Sequence, residues 1–175
     1  MLPYGSKLEV QKSHRSRGAT LRLVTASFSL GLLKPTLTNA FLYELIQFNF
    51  RQLPVERSTA CHTWKVDVHQ IRIVASPEEK GEPTPEGIHR DGEDFGCIHL
   101  IRCENVVGGV STVYDNDRSP LVSCTLRHPM DSMLLWDPYV LHGVTPIAPK
   151  SPDKVAFRDV LLIGYVQCPD LKRPA

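Results

Sequence analysis

His89-Arg90-Asp91 sets an imidazole and a carboxylate two residues apart, and in extended backbone residues i and i+2 project to the same side. Both can reach one cation. A second histidine, His142, lies in a later strand-like run whose alternation puts Val140, His142 and Val144 on one face. Two imidazoles and one carboxylate on one face of an octahedron leave three positions open, which is the ligand set of non-haem iron(II) oxygenases. Such a set holds iron(II) while leaving it partly charged and able to exchange waters. An HxD triplet alone is a weak signal; His142 downstream in a strand strengthens it. Zinc hydrolysis is the lesser alternative for the same three side chains.

Arg158 begins the last strand-like run, sixteen residues after His142, and alternation aims Arg158, Val160 and Leu162 to one side. A guanidinium turned inward needs an anion, and its planar fork grips a carboxylate through two parallel hydrogen bonds. The distal carboxylate of 2-oxoglutarate fits that requirement. The competing reading is a salt bridge to Asp159 or another surface acid. Gly108-Gly109 makes a tight turn, after which Ser111 is placed to point inward and donate to the cosubstrate. Thr112 takes that role if the register slips by one residue. His69, Gln70 and Arg72 are secondary candidates for substrate or ligand support, against the commoner reading of a solvated strand face. His99 reads as a packed or surface histidine, and Tyr114 and Trp136 as core aromatics that could line a pocket.

The elements that must position these groups are mainly β. Strand candidates run over 64–74, 97–102, 110–114, 121–127, 132–136, 140–145 and 157–166, at a spacing that suits a barrel or sandwich. In the first of them Val66 and Val68 occupy one phase and Ile71 and Ile73 the other, so a bulge or two-sided burial is expected. Turns fall at Gly108-Gly109 and Asp137-Pro138, and a loop rich in Glu, Pro and Gly over 76–87 is placed where a mobile cover would be useful, with an ordinary surface loop the equal alternative. Before them a support helix starts at Thr38 or Asn39, carrying Phe41, Leu42, Leu45, Ile46 and Phe48 at helical spacing before Pro54.

The 175 residues suffice for one domain with its own core, organised as an N-terminal segment with the support helix over 1–60 and a catalytic barrel over 61–175. Twenty basic and nineteen acidic side chains nearly cancel, which argues against a nucleic-acid or anionic-membrane partner. Five cysteines without a CxxC pair fit a reducing, cytoplasmic location. The apolar stretch over 24–33 is too short and too polar to span a bilayer. Lys12, Arg15, Arg17, Arg22 and Lys34 fall in a run without acidic residues, a composition shared with organellar transit peptides, although a basic and partly ordered segment is the preferred reading.

PEGIHRDG at 85–92, HLIRCENVVGGVSTVYD at 99–115, DSMLLWDPYVLHGVTPI at 131–147 and FRDVLLIGY at 157–165 occur in the order and at the separations of a known family. With WKVDVHQIRI at 64–73, the C-terminal two-thirds of the chain resembles the 2-oxoglutarate and iron(II)-dependent dioxygenases typified by bacterial L-isoleucine hydroxylases. The resemblance implies a double-stranded β-helix, a jelly-roll or cupin-like barrel with one or two N-terminal support helices. It implies that His89, Asp91 and His142 hold iron(II) and that Arg158 holds the far carboxylate of 2-oxoglutarate. Hydroxylation of a free amino acid with an aliphatic or sulfur-containing side chain follows, using dioxygen and releasing succinate and CO2, with ascorbate as an assay additive. An oxygenase acting on a protein or nucleic acid, or a barrel that binds metal or ligand without turnover, are the alternatives. The first 60 residues match the family poorly and are shorter than in its members, so the substrate is what the sequence defines least.

Overall fold

The computed structural model describes residues 22–28, 39–56 and 63–168. Lys12, Arg15, Arg17, Lys34, the alternative cap Thr38 and Cys61 lie outside the described residues. Two compact units divide the chain, one formed by 1–69 with 163–175 and the other by 70–162.

In the first unit, helix α1 (Ala40–Gln52) opens where the Asn39 side chain accepts the Phe41 N–H at 2.9 Å, satisfying one of the free donors of the first turn. Its buried face is Leu42, Leu45, Ile46, Asn49 and Phe50, an i, i+3, i+4, i+7, i+8 stripe. Phe41 and Phe48, assigned to that face from sequence, are instead 57% exposed because they fall a third of a turn away from it. Phe50 packs edge-on against Trp64 at 5.1 Å and beside Tyr165 at 6.0 Å. The Tyr165 hydroxyl donates to the Ile46 carbonyl at 2.9 Å, so a buried aromatic brings its own polar partner. Strand β1 (Arg22–Phe28), which carries no clear strand alternation in the sequence, pairs in parallel with β2 (Thr63–Ala75), from Arg22 opposite Thr63 to Phe28 opposite Val68. Among the described residues no helix is long and apolar enough to cross a membrane.

The second unit is built from strands β3 (Phe95–Glu104), β4 (Val106–Gly108), β5 (Ser111–Tyr114), β6 (Pro120–Cys124), β7 (Ser132–Leu135), β8 (Leu141–Val144) and β9 (Ile147–Pro149). To these it adds residues 70–75 of β2 and 156–162 of β10 (Ala156–Cys168). One sheet runs β2-β10-β3-β7, and a second runs β6-β5-β8. The second is extended by a single antiparallel bridge between His89 and His142, which places the HxD segment in a fourth strand position. Side chains from both sheets meet in one core of Ile73, Ala75, Ile98, Leu100, Val113, Leu135, Ala156 and Val160, together with Leu126 and Ile147. This is the double-stranded β-helix.

The phase conflict in β2 is real. Trp64, Val66 and Val68 are buried in the first unit and Ile73 and Ala75 in the second, so the buried positions change parity along the strand. Strand β6 ends at Cys124 rather than 127, and β4 and β9 are three-residue strands paired with each other that were not foreseen. The 76–87 loop is pinned rather than free. Gly81 exchanges backbone hydrogen bonds with Ile147 at 3.0 and 2.8 Å, and the Thr84 hydroxyl bonds the Val144 backbone twice at 3.1 Å. Gly108 has φ +83°, and a Cβ there would sit 2.2 Å from the Pro146 carbonyl oxygen. Gly108→Ala is therefore expected to lower unfolding stability by at least about 2 kcal/mol in a urea titration.

Candidate metal centre

Local backbone chemistry explains why three distant polar side chains converge. Gly87 (φ +82°) and Gly92 (φ +78°) adopt left-handed conformations on either side of His89-Arg90-Asp91, so the chain enters and leaves this short extended segment by turns that favour glycine. His89 and His142 exchange both backbone hydrogen bonds at 2.9 Å, which sets their side chains on the same face of the sheet. Their rings lie 4.4 Å apart between centroids.

Asp91 completes the group. Its two carboxylate oxygens lie 3.3 Å from His89 Nε2 and 3.7 Å from His142 Nε2, and one ligand atom from each of the three residues falls within 4.8 Å of the others. His89 Nδ1 is 3.0 Å from the Gly87 carbonyl, which can only accept, so Nδ1 is the donor there and Nε2 is the nitrogen left to bind a metal. Burial pushes the His142 imidazole below its ordinary range, partly opposed by the Asp91 charge and reinforced by His89. A neutral imidazole is the form that ligates metal. Two imidazole nitrogens and one carboxylate, with one side open, suit iron(II).

A residue the sequence reading treated only as part of a turn holds this arrangement together. Asp137 is 1% exposed, and its carboxylate accepts the backbone N–H groups of Asp91, Gly92 and Glu93 at 3.2, 2.8 and 3.2 Å. It fixes the segment that bears Asp91. No signal in an Asp-Pro pair distinguishes this anchor from an ordinary turn residue. Asp137→Asn, which keeps the size but removes the charge and one acceptor, is expected to weaken iron(II) binding about tenfold in an anaerobic titration. Unchanged affinity would assign Asp137 to folding alone.

Arg158 and Ser111 are both buried, at 4% and 1% exposure. Among the described residues Arg158 Nη2 and Ser111 Oγ have no hydrogen-bond partner, and neither does His142 Nδ1. The salt bridge weighed for Arg158 does not form, because Asp159 is engaged by Arg72 through two hydrogen bonds at 2.6 and 2.7 Å. Burial lowers the Arg158 pKa, yet a guanidinium remains charged at neutral pH. A buried cation and a buried hydroxyl left without partners fit an anionic ligand, since native proteins rarely leave such groups unsatisfied. Ser111 takes the inward position and Thr112 does not; the Thr112 hydroxyl bonds Ser123 at 2.8 Å.

The remaining candidates sit elsewhere. Arg72 is committed to Asp159 and lies over the Phe157 ring, 4.6 Å from its centroid, while Gln70 is exposed and His69 half-buried. His99 is a packed histidine whose Nδ1 meets the Ser132 hydroxyl at 2.6 Å. Trp136 is exposed, meeting Tyr139 edge-on at 4.5 Å and lying beside Phe95 at 5.8 Å, and Tyr114 is half-buried.

The sequence model described as 2OG-Fe dioxygenase matches residues 31–164. Over 101 residues the chain is 29% identical to L-isoleucine-4-hydroxylase of Bacillus thuringiensis, covering 57% of this chain and 41% of that protein. It is likewise 29% identical over 101 residues to 3(1)-hydroxy-L-isoleucine 4-dioxygenase of Pantoea ananatis, covering 57% and 40%. The chain thus spans about two-fifths of the length of these curated relatives. Among solved structures, IDO from Bacillus thuringiensis superposes with a TM-score of 0.69 at 23% identity, covering 77% of this chain and 60% of that one. A bsmA homolog from Methylobium petroleophilum gives 0.60 at 30% identity, covering 82% and 57%.

Proposed function

Because this chain belongs to the 2OG-Fe dioxygenase family, we propose that it is an iron(II)- and 2-oxoglutarate-dependent hydroxylase of a free L-amino acid with an aliphatic or sulfur-containing side chain. The observation that carries the reading is the group of three ligand atoms within 4.8 Å, from His89, Asp91 and His142, together with a buried arginine whose Nη2 has no partner among the described residues. The relatives named for isoleucine and hydroxyisoleucine oxidation support the amino acid as substrate.

In this reading His89 Nε2, an Asp91 oxygen and His142 Nε2 hold the metal, and Arg158 with Ser111 holds the far carboxylate of 2-oxoglutarate. The bound iron and cosubstrate supply the oxidising power toward an unactivated C–H bond, with dioxygen consumed and succinate and CO2 released. The chain's own work is ligation and orientation. Gly87 keeps the proton on His89 Nδ1, Asp137 holds the backbone beneath Asp91, and the His89–His142 bridge fixes the spacing of the two imidazoles. Burial of His142 and Arg158 excludes water from the inner side of the site, where it strengthens each polar contact. We place the protein in the cytoplasm, where the free thiols Cys97, Cys103, Cys124 and Cys168 would remain reduced.

The test is succinate formation from 2-oxoglutarate with iron(II) and ascorbate, in the presence and absence of each of the twenty amino acids. Stimulation by an aliphatic or sulfur-containing amino acid is the expected result. Absence of succinate under every condition, with iron bound, would instead assign the barrel to ligand binding without turnover.

A further inference from the structure

Glu86 is a carboxylate of the site that neither the ligand triad nor the cosubstrate subsite uses. Its Oε1 lies 3.2 Å from His89 Nε2, on the metal-facing nitrogen of that ring, and its side chain is 52% exposed. The Pro85-Glu86-Gly87 turn holds it there, with the Gly87 N–H bonded to Thr84 O at 2.9 Å and the Gly87 carbonyl bonded to His89. Among the described residues no lysine or arginine forms an ion pair with it.

Charge balance says what such a group requires. Resting on the cofactor reading above, an iron(II) ion and the Arg158 guanidinium together cancel the Asp91 carboxylate and the two carboxylates of 2-oxoglutarate. The Asp137 charge is spread over three backbone N–H donors. Glu86 keeps a negative charge next to His89, with no lysine or arginine among the described residues paired to it, and its side chain is half exposed to solvent. A fourth protein ligand is disfavoured, because three protein atoms and a bidentate cosubstrate already leave only one position for dioxygen. We propose that Glu86 binds the ammonium group of the substrate, so that this site selects molecules carrying a free primary amine and holds the amine end next to His89.

The proposal makes Glu86 a specificity determinant for a zwitterionic amino acid. A charge-assisted hydrogen bond of this kind separates an amine from its uncharged analogue by about tenfold or more in affinity. N-acetyl amino acids and α-hydroxy acids of the same side chain are then poor ligands for the wild-type protein.

The experiment loads the protein anaerobically with iron(II) and 2-oxoglutarate and follows the visible absorption of the chelated cosubstrate while amino acids, N-acetyl amino acids and α-hydroxy acids are added. In the wild type, free amino acids shift the band at concentrations at least about tenfold lower than their two analogues. In Glu86→Gln the band forms at the same iron(II) and 2-oxoglutarate concentrations, but the preference for the amine shrinks toward unity. Retention of the preference in Glu86→Gln, or a wild-type band that responds to no amino acid, overturns this proposal while leaving the cofactor reading intact. Loss of iron(II) affinity in Glu86→Gln overturns it in favour of a metal-ligand role. Failure of the wild type to develop the band overturns the cofactor reading and the proposal together.

Discussion

Arg158→Ala is expected to raise the half-saturating concentration of 2-oxoglutarate about 100-fold, while the affinity for iron(II) measured without cosubstrate stays within about twofold of wild type. The size follows from the environment. Arg158 is 4% exposed and its Nη2 has no partner among the described residues, so a carboxylate bound there meets a preformed, desolvated donor. Arg158→Lys is a second check: a lysine keeps the charge but loses the planar fork, and an intermediate loss is expected. Equal weakening of iron and 2-oxoglutarate, or no change in either, would remove Arg158 from the cosubstrate subsite.

His142→Ala and Asp91→Ala should each abolish iron(II) binding at micromolar metal, a loss beyond the roughly 10- to 100-fold that changes around a ligand produce. The two variants separate chemistry from folding. His142 is buried and its removal leaves a void beside Val113, its partner across the β5–β8 pair, so a lower melting temperature is expected along with metal loss. The Asp91 side chain is 35% exposed, and its removal should leave the apo protein as stable as wild type while metal binding disappears. Iron-dependent thermal stabilisation, present in wild type and absent in Asp91→Ala, is the direct measure. Retention of stoichiometric, tight iron in Asp91→Ala would show that the carboxylate is not a ligand.

The parts of the site legible in the sequence were those with a periodic signature. His89 and Asp91 share a face because strand side chains alternate, and the same alternation carried His142 and Arg158 to their buried positions. The choice between Ser111 and Thr112 was beyond that logic, since either phase of a four-residue strand is compatible with the pattern until its partners are known. Pairing of β5 with β6 and β8 decides it. Asp137 and Glu86 gave no periodic signal, because Asp137 opens a three-residue 3-10 helix and Glu86 lies in a turn, both too short for a repeating pattern. One is identified by the N–H groups of residues 91–93, the other by its approach to His89.

The fold shows the same division. The barrel strands with clear alternation were located to within a few residues, whereas β4 and β9 are too short for any pattern and exist because they pair with each other. In α1 both Phe41 and Phe48 were apolar enough to be counted as core, but only the stripe through Leu42, Leu45, Ile46, Asn49 and Phe50 is covered. Asn49 on that stripe would not have been chosen by hydrophobicity. The 76–87 loop has the composition of a mobile cover, yet Gly81 and Thr84 tie it to Ile147 and Val144. Composition reports the absence of a repeating pattern, and the hydrogen bonds that replace it are tertiary.

The most direct measurement is the crystal structure of the protein prepared without oxygen in the presence of iron(II) and 2-oxoglutarate. The expected result is a single ion bonded to Nε2 of His89, a carboxylate oxygen of Asp91 and Nε2 of His142, with the far carboxylate of 2-oxoglutarate on Arg158. An ion held by other side chains, or a cosubstrate carboxylate that leaves Arg158 without a partner, would contradict the assignment.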